Sequence, residues 1–247
     1  MGQHFLTSAA IAKRMAEAAH IQSSDVVLEV GPGKGILTRF LLEKAKRVIA
    51  VEKDVNLAIF LRNKFNNVKN LEVVEGDILK ISNFQFLISK KFPKKYKIVA
   101  NLPYYITSRF LRLFLESDKL RPQATTLMVQ KEVAERICAK PPHMNLLALS
   151  VQAFGTPKIL FKVRRGSFSP PPEVESAVIE IAGISDAFFK KNRISPQEFF
   201  KLPKKAFSQK RKMLRASLKI SETELPKFSS KRPQELDLED WIEISKL

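Results

Sequence analysis

The sequence predicts an α/β protein, with a doubly wound, mostly parallel sheet followed by a small all-helical domain. Three observations carry this. Short apolar, β-branched segments recur along the first three-quarters of the chain, amphipathic helical patterns lie between them, and beyond about residue 184 only helical patterns remain.

The strand-like segments are residues 26–31 (VVLEVG), 47–52 (RVIAVE), 71–77 (LEVVEGD), 96–102 (YKIVANL) and 124–130 (ATTLMVQ). They are almost continuously apolar, as strands covered on both faces must be. Helices are predicted over 8–19, with Ile11, Met15 and Ala18 on one face, and over 36–45, grouping Ile36, Leu37, Phe40 and Leu41. A third, over 107–117, groups Phe110, Leu111 and Phe114 and opens on Thr107, a candidate hydroxyl cap. Residues 159–163 and 174–181 again read as strands. Too little sequence separates them for a helical crossover, so this pair should run antiparallel. Composition shifts at 184–186, and helix-like stretches follow around 196–202, 204–218 and 238–245. The expected division is a sheet domain over 1–184 and a helical domain over 185–247.

Composition narrows the function. Cys138 is the one cysteine, which excludes an intrachain disulfide framework or a cysteine-rich zinc site. The three histidines (His4, His20 and His143) are scattered, so no metal site is expected. No apolar run approaches the roughly 18 residues of a membrane span. The opening MGQHFL has neither the basic nor the apolar region of a secretory signal, and Leu6 stands where a myristoylation signal has serine or threonine. A soluble, cytoplasmic protein is expected. Lysine and arginine number 43 against 25 aspartate and glutamate, a net charge of +18. Self-repulsion on that scale points to a polyanion partner, with nucleic acid the first choice and an anionic membrane the second. Residues 190–219 hold eleven basic residues against one acidic residue, Glu198, so much of the excess lies in the helical part.

The candidate site begins at Glu29-Val30-Gly31-Pro32-Gly33-Lys34-Gly35, which follows the first strand and opens a helix. Its glycines let a backbone approach a ligand and take positive φ, and the helix start behind them suits a carboxylate or a phosphate. Ile36 stands where a dinucleotide fingerprint wants glycine or alanine, and no Gly-Lys-Ser/Thr ending marks a phosphate loop. The next three strands end in polar groups: Glu52, Asp77 and Asn101. Parallel strands align such ends along one sheet edge, where open α/β sheets bind ligands. Glu52 could accept from a ribose diol. Asp77 and the Ile78 backbone could meet an adenine edge. Asn101-Leu102-Pro103-Tyr104 suits amine alkylation. The amide of Asn101 and the carbonyl of Leu102 can accept both hydrogens of an adenine 6-amino group, while Pro103 aims that carbonyl and Tyr104 stacks on the base.

With these motifs in place, the sequence resembles the KsgA (RsmA) family, S-adenosylmethionine-dependent dimethyltransferases of adenines in small-subunit ribosomal RNA. The matching segments are 2–6 (GQHFL), 29–38 (EVGPGKGILT), Gly76-Asp77, Asn101 to Tyr104, 129–136 (VQKEVAER), 168–178 (FSPPPEVESAV) and 206–218 (AFSQKRKMLRASL), in order along nearly the whole chain. The resemblance implies a Rossmann-like methyltransferase domain with a mostly parallel seven-stranded sheet, a helical C-terminal domain, and S-adenosyl-L-methionine as cofactor. It places Gln3, His4 and Leu6 around the cofactor, Gly31 and Gly33 at its methionine part, Glu52 at its ribose, Asp77 and Ile78 at its adenine, and Lys53 and Asn101 among its other contacts. Asn101, Leu102, Pro103 and Tyr104 would hold the target amine, with Phe168 on the other face of the base.

The implied partner is 16S ribosomal RNA within the assembling 30S subunit, met by a monomer. Lys204, Lys205, Lys210, Arg211, Lys212 and Arg215 are the expected phosphate contacts, which give affinity and orientation rather than sequence. Three other readings stay open. One is a large-subunit adenine methyltransferase of the macrolide-resistance type, disfavoured by the proline-rich Phe168 segment and the Arg-Lys tail. Another is a non-catalytic assembly factor, disfavoured by the intact Asn101 motif and glycine loop. The last is an NAD-dependent oxidoreductase, disfavoured by Ile36.

Overall fold

The computed structural model describes residues 4–80, 95–219, 221, 223 and 226–246. These form two compact units, Met1–Ala134 with Lys158–Ile184, and Glu135–Pro157 with Ser185–Leu247.

In the first unit strands and helices alternate, and helices are present in the segments expected over 8–19, 36–45 and 107–117. β1 (Phe5–Leu6) leads into α1 (Ala9–Ala18), β2 (Val26–Val30), α2 (Ile36–Leu42), β3 (Arg47–Glu52), α3 (Val55–Lys64), β4 (Leu71–Glu75), β5 (Lys97–Asn101), α4 (Thr107–Glu116), β6 (Ala124–Gln130) and α5 (Lys131–Ile137). Later, β7 (Thr156–Val163), β8 (Phe168–Ser169) and β9 (Ser176–Ala182) complete the strands. Seven of them form one sheet in the order β4-β3-β2-β5-β6-β9-β7. β2 pairs in parallel with β3 and with β5, as do β3 with β4 and β5 with β6, while β9 runs antiparallel to β6. The chain winds outward from β2 to β4, then returns to β5 on the other side of β2. That reversal makes the carboxyl ends of β2 and β5 the topological switch point, where such sheets bind ligands. Met15 of α1, Leu41 of α2 and Val48, Val99, Met128 and Val178 of the sheet share one buried cluster.

Local chemistry sets the helix starts. Ser8 caps α1 by accepting from the Ile11 amide, and Asp54 caps α3 by accepting from the amides of Asn56 and Leu57. Thr107 is not the cap of α4. A 3₁₀ turn, Tyr104–Ile106, precedes it, and the Thr107 hydroxyl instead donates back to the Tyr104 carbonyl at 3.2 Å.

The expected cut after residue 184 needs correction, because residues 135–157 cluster with the helical unit. Their helix α6 (Leu146–Gln152) buries Ala148, Leu149 and Val151. Phe154 packs on Phe189 at 4.8 Å, and its carbonyl accepts from the Ser185 amide. An apolar helix between two sheet strands reads in sequence as part of the sheet domain, yet these contacts are all to the C-terminal segment. The unit continues with α7 (Ala187–Asn192), α8 (Pro196–Phe199), α9 (Lys201–Phe207), α10 (Leu214–Leu218) and α11 (Leu238–Ser245). Trp241, Phe199 and Phe228 are buried at its centre. The helix expected over 204–218 is broken. Residues 208–213 form a turn, closed by the Lys212 amide donating to the Gln209 carbonyl, so Lys210, Arg211 and Lys212 sit on a turn between α9 and α10. Among the described residues no helix is long and apolar enough to cross a membrane.

Candidate functional site

A cleft of about 480 Å³ opens at the switch point. Of the sequence-predicted residues, it is lined by His4, Leu6, Gly31, Gly33, Glu52, Lys53, Asn101, Leu102, Pro103, Tyr104 and Phe168. Its size suits a small-molecule ligand.

The glycine loop is shaped by packing as much as by access. Gly33 has φ +57°, and a Cβ there would stand 3.1 Å from the Phe5 ring. Gly35 has φ +76°, and a Cβ there would stand 2.7 Å from the Phe65 ring. Glu52, at the end of β3, is buried and holds this loop: its carboxylate accepts from the Gly33 amide and the Asp54 amide, both at 3.0 Å. Asp77 and Ile78 do not line the cleft. Asp77 accepts from the Leu79 amide and pairs with Lys53 at 3.0 Å, so it reaches the cleft through that lysine. Burial opposes ionisation of Asp77, but the Leu79 amide and the Lys53 ammonium outweigh it and hold the carboxyl below its usual range. Ile78 is buried.

On the other side of β2, the β2–β5 pairing sets Asn101 beside Gly31. A Cβ on Gly31 would stand 4.0 Å from the Asn101 carbonyl and 3.8 Å from Pro103. The Leu102 amide donates to the Met128 carbonyl at 3.2 Å, which fixes the peptide. Among the described residues nothing hydrogen-bonds the Asn101 carboxamide or the Leu102 carbonyl. Two adjacent acceptors are therefore left for a ligand. Tyr104 is half-buried, its hydroxyl 2.7 Å from Ser176 Oγ and its ring stacked on His4 at 6.2 Å. Burial pushes its hydroxyl pKa up despite the Ser176 contact, so it stays protonated.

The N-terminal strand closes one wall. Leu6 pairs with Phe168 and Phe5 with Ser169 in the two-stranded β1–β8 sheet, the Thr7 amide donates to the Ser167 carbonyl at 2.8 Å, and His4 Nδ1 lies 2.8 Å from the Pro170 carbonyl. Phe168 is buried in this clasp yet still lines the cleft. Gln3 lies outside the described residues.

Glu29 and Tyr105 are among the lining residues to which the sequence assigned no role. Glu29 sits inside the quoted motif but had no role, and it is 1% exposed, with Oε2 lacking any partner among the described residues. Burial pushes its carboxyl up to about 8, the Thr38 hydroxyl partly offsets this, and Glu52 adds to it. Tyr105, next to the Asn101 motif, is 71% exposed at the cleft wall. The expected phosphate contacts Lys204, Lys205, Lys210, Arg211, Lys212 and Arg215 are all exposed, and Lys205 in addition donates to the Leu218 carbonyl at 3.0 Å, closing the end of α10.

Comparison with known proteins bears on this geometry. The family model for ribosomal RNA adenine dimethylases matches residues 1–244. A ribosomal RNA small subunit methyltransferase A from Dehalococcoides mccartyi is 45% identical over 214 residues, covering 87% of this chain and 72% of the relative. Among solved structures, a dimethyladenosine transferase from Plasmodium falciparum aligns with a TM-score of 0.82 at 29% identity, covering 98% of this chain and 96% of that one. The 23S rRNA methyltransferase ErmE aligns with a TM-score of 0.75 at 25% identity, covering 98% of each chain. With the Rossmann-like methyltransferase sheet and the cleft at its switch point, these matches show that the chain belongs to the ribosomal RNA adenine dimethylase family.

Proposed function

We propose that this protein transfers methyl groups from S-adenosyl-L-methionine to the 6-amino group of adjacent adenines in small-subunit ribosomal RNA, giving dimethyladenosine. It acts on the assembling 30S subunit, in the cytoplasm, as a monomer. The observation that carries this reading is the pair of acceptors without a partner among the described residues, the Asn101 carboxamide and the Leu102 carbonyl, on residues that line the cleft. The identity to a small-subunit enzyme supports that substrate over the large-subunit one.

The residues present fit the cofactor. The Glu52 carboxylate lines the cleft beside the glycine loop, where a ligand bearing hydroxyls needs an acceptor. Gly31 and Gly33 would face its methionine part, with His4 and Leu6 closing over it. Glu52 and Lys53 would meet its ribose, with Asp77 and Ile78 behind them toward the adenine. When bound, the cofactor supplies an electrophilic sulfonium methyl. The protein supplies the rest. An adenine amine is a poor nucleophile because its lone pair is delocalised into the ring. Accepting both its hydrogens, by Asn101 and Leu102, favours a pyramidal nitrogen with a localised lone pair. Tyr104 and Phe168 would hold the base by stacking, and the nitrogen's proton leaves to solvent after transfer. A flipped or unpaired adenine can enter such a niche, whereas a stacked one cannot.

The test is incubation with labelled S-adenosylmethionine and undermethylated small subunits, reading dimethyladenosine. No product at low or moderate salt would overturn the reading. The basic turn has its own prediction. Charge reversal at Lys210, Arg211 and Lys212 should weaken RNA binding and lower the slope of log affinity against log salt by about 2–3, since each lost phosphate contact removes roughly 0.7–0.9. Filter binding across a salt series measures this, and an unchanged slope would remove the turn from the interface.

A further inference from the structure

We propose that Tyr105 and the exposed edge of α4 form the track that holds the RNA strand flanking the target adenine. This rests on the RNA-methylating reading above and names where that substrate's neighbouring nucleotides lie.

The 3₁₀ turn Tyr104–Ile106 runs directly into α4, so one helical segment leads away from the Asn101 motif. Its inner face is settled by packing, with Phe110, Leu111, Phe114 and Leu115 buried. Its outer face carries Tyr105, Ser108, Arg109, Arg112 and Glu116, all exposed. Their spacing of three and four places them in one stripe. The stripe starts in the cleft wall, because Tyr105 lines the cleft. An aromatic ring left 71% exposed there contributes little to the core, but it offers a stacking surface to a base beside the one in the niche.

The arginines continue that surface. A groove of about 430 Å³ runs along this helix, lined by Arg109, Arg112, Leu113, Glu116 and Ser117. The Arg109 guanidinium has no hydrogen bond or ion pair among the described residues. Arg112 stands 3.9 Å from Glu116 with its side chain 70% exposed, a surface pair that opens at little cost. Guanidinium forks match phosphate oxygens two at a time. From Tyr105 to Arg112 the rise is about 10 Å at about 1.5 Å per residue, enough to follow a strand past the phosphates next to a flipped base. Glu116 repels phosphate and sets the far end of the track. The occupant this fits is a single strand of RNA, with a base on Tyr105 and phosphates on Arg109 and Arg112.

The experiment compares the full-length wild type with Arg109→Glu/Arg112→Glu, Arg109→Lys/Arg112→Lys and Tyr105→Ala. It measures steady-state methylation of undermethylated small subunits, binding of the naked small-subunit RNA over a salt series, S-adenosylmethionine binding by calorimetry, and thermal melting. The double Glu variant should lose at least tenfold in kcat/KM, chiefly through KM, and its salt slope for RNA binding should fall by about 1–2. Its cofactor affinity and melting temperature should match the wild type. The double Lys variant should recover most of the loss, and Tyr105→Ala should lower kcat/KM with no change in salt slope. Wild-type kinetics and salt slope in the double Glu variant would overturn the track alone. Loss of activity on subunits with unaltered RNA binding would put a ribosomal protein on the stripe and overturn it too. A wild type that methylates nothing would overturn the functional reading and the track with it.

Discussion

Asn101→Ala is expected to lower methyl transfer by about 10²–10³-fold, the size of effect found when one preorganised hydrogen-bonding group is removed from a transition-state site. RNA binding and cofactor binding should hardly change. The argument is geometric. Asn101 ends β5, its strand partner Met128 fixes the next peptide through the Leu102 amide, and the carboxamide is not engaged by any described residue. A group held this rigidly and left unpaired is suited to a contact made to the reacting nitrogen. Phosphate contacts dominate nucleic-acid affinity in general, and on the proposed reading they lie on basic residues elsewhere, so truncating Asn101 should remove little of it. Asn101→Asp keeps an acceptor of the same reach and should retain more activity than the alanine variant. Single-turnover methylation measured beside filter binding separates the two quantities. If transfer and RNA binding fell together with the fold intact, Asn101 would be a binding residue and the amine-activation role would be wrong.

The sheet was legible because its strands are nearly continuous apolar runs, and the glycine loop and Asn101 motif were legible because each sits at a strand end. α3 was not. Val55, Ile59 and Phe60 are about half exposed, so its apolar residues do not trace one buried face, and Asp54 was the remaining signal. The β1–β8 clasp was invisible for another reason. Two-residue strands carry no periodicity, and their partners lie more than 160 residues apart. The assignment of 135–157 failed because burial of α6 depends on a segment far downstream. Within the site, Asp77 stood at a strand end in the sequence, but β4 stops at Glu75, and the carboxylate turns to Lys53 instead of the cleft. Glu29 was hidden by its position in a strand, where an acid facing the interior looks the same as one facing solvent.

That buried acid gives the second large effect, on stability rather than rate. Glu29 is 1% exposed, and its carboxyl is pushed up from the ordinary 4.5 to about 8, mainly by burial. In the unfolded chain it titrates at its ordinary value. Between pH 4.5 and 8 the folded state therefore keeps a proton that the unfolded state has released. Stability must fall with rising pH across this window, by up to about 5 kcal/mol from roughly 1.4 kcal/mol per unit of difference. Below the window both states are protonated and there is no difference. Glu29→Gln has nearly the shape of the protonated acid and cannot ionise. Its melting temperature should match that of the wild type near pH 4.5 and exceed it by up to about 10–20 °C near pH 9, at about 2–4 °C per kcal/mol for a chain of this size. Thermal melts of both proteins in steps from pH 4.5 to 9 measure the divergence. Parallel curves would mean that water or a rearranged Thr38 solvates the carboxylate, and that Glu29 carries an ordinary charge at neutral pH.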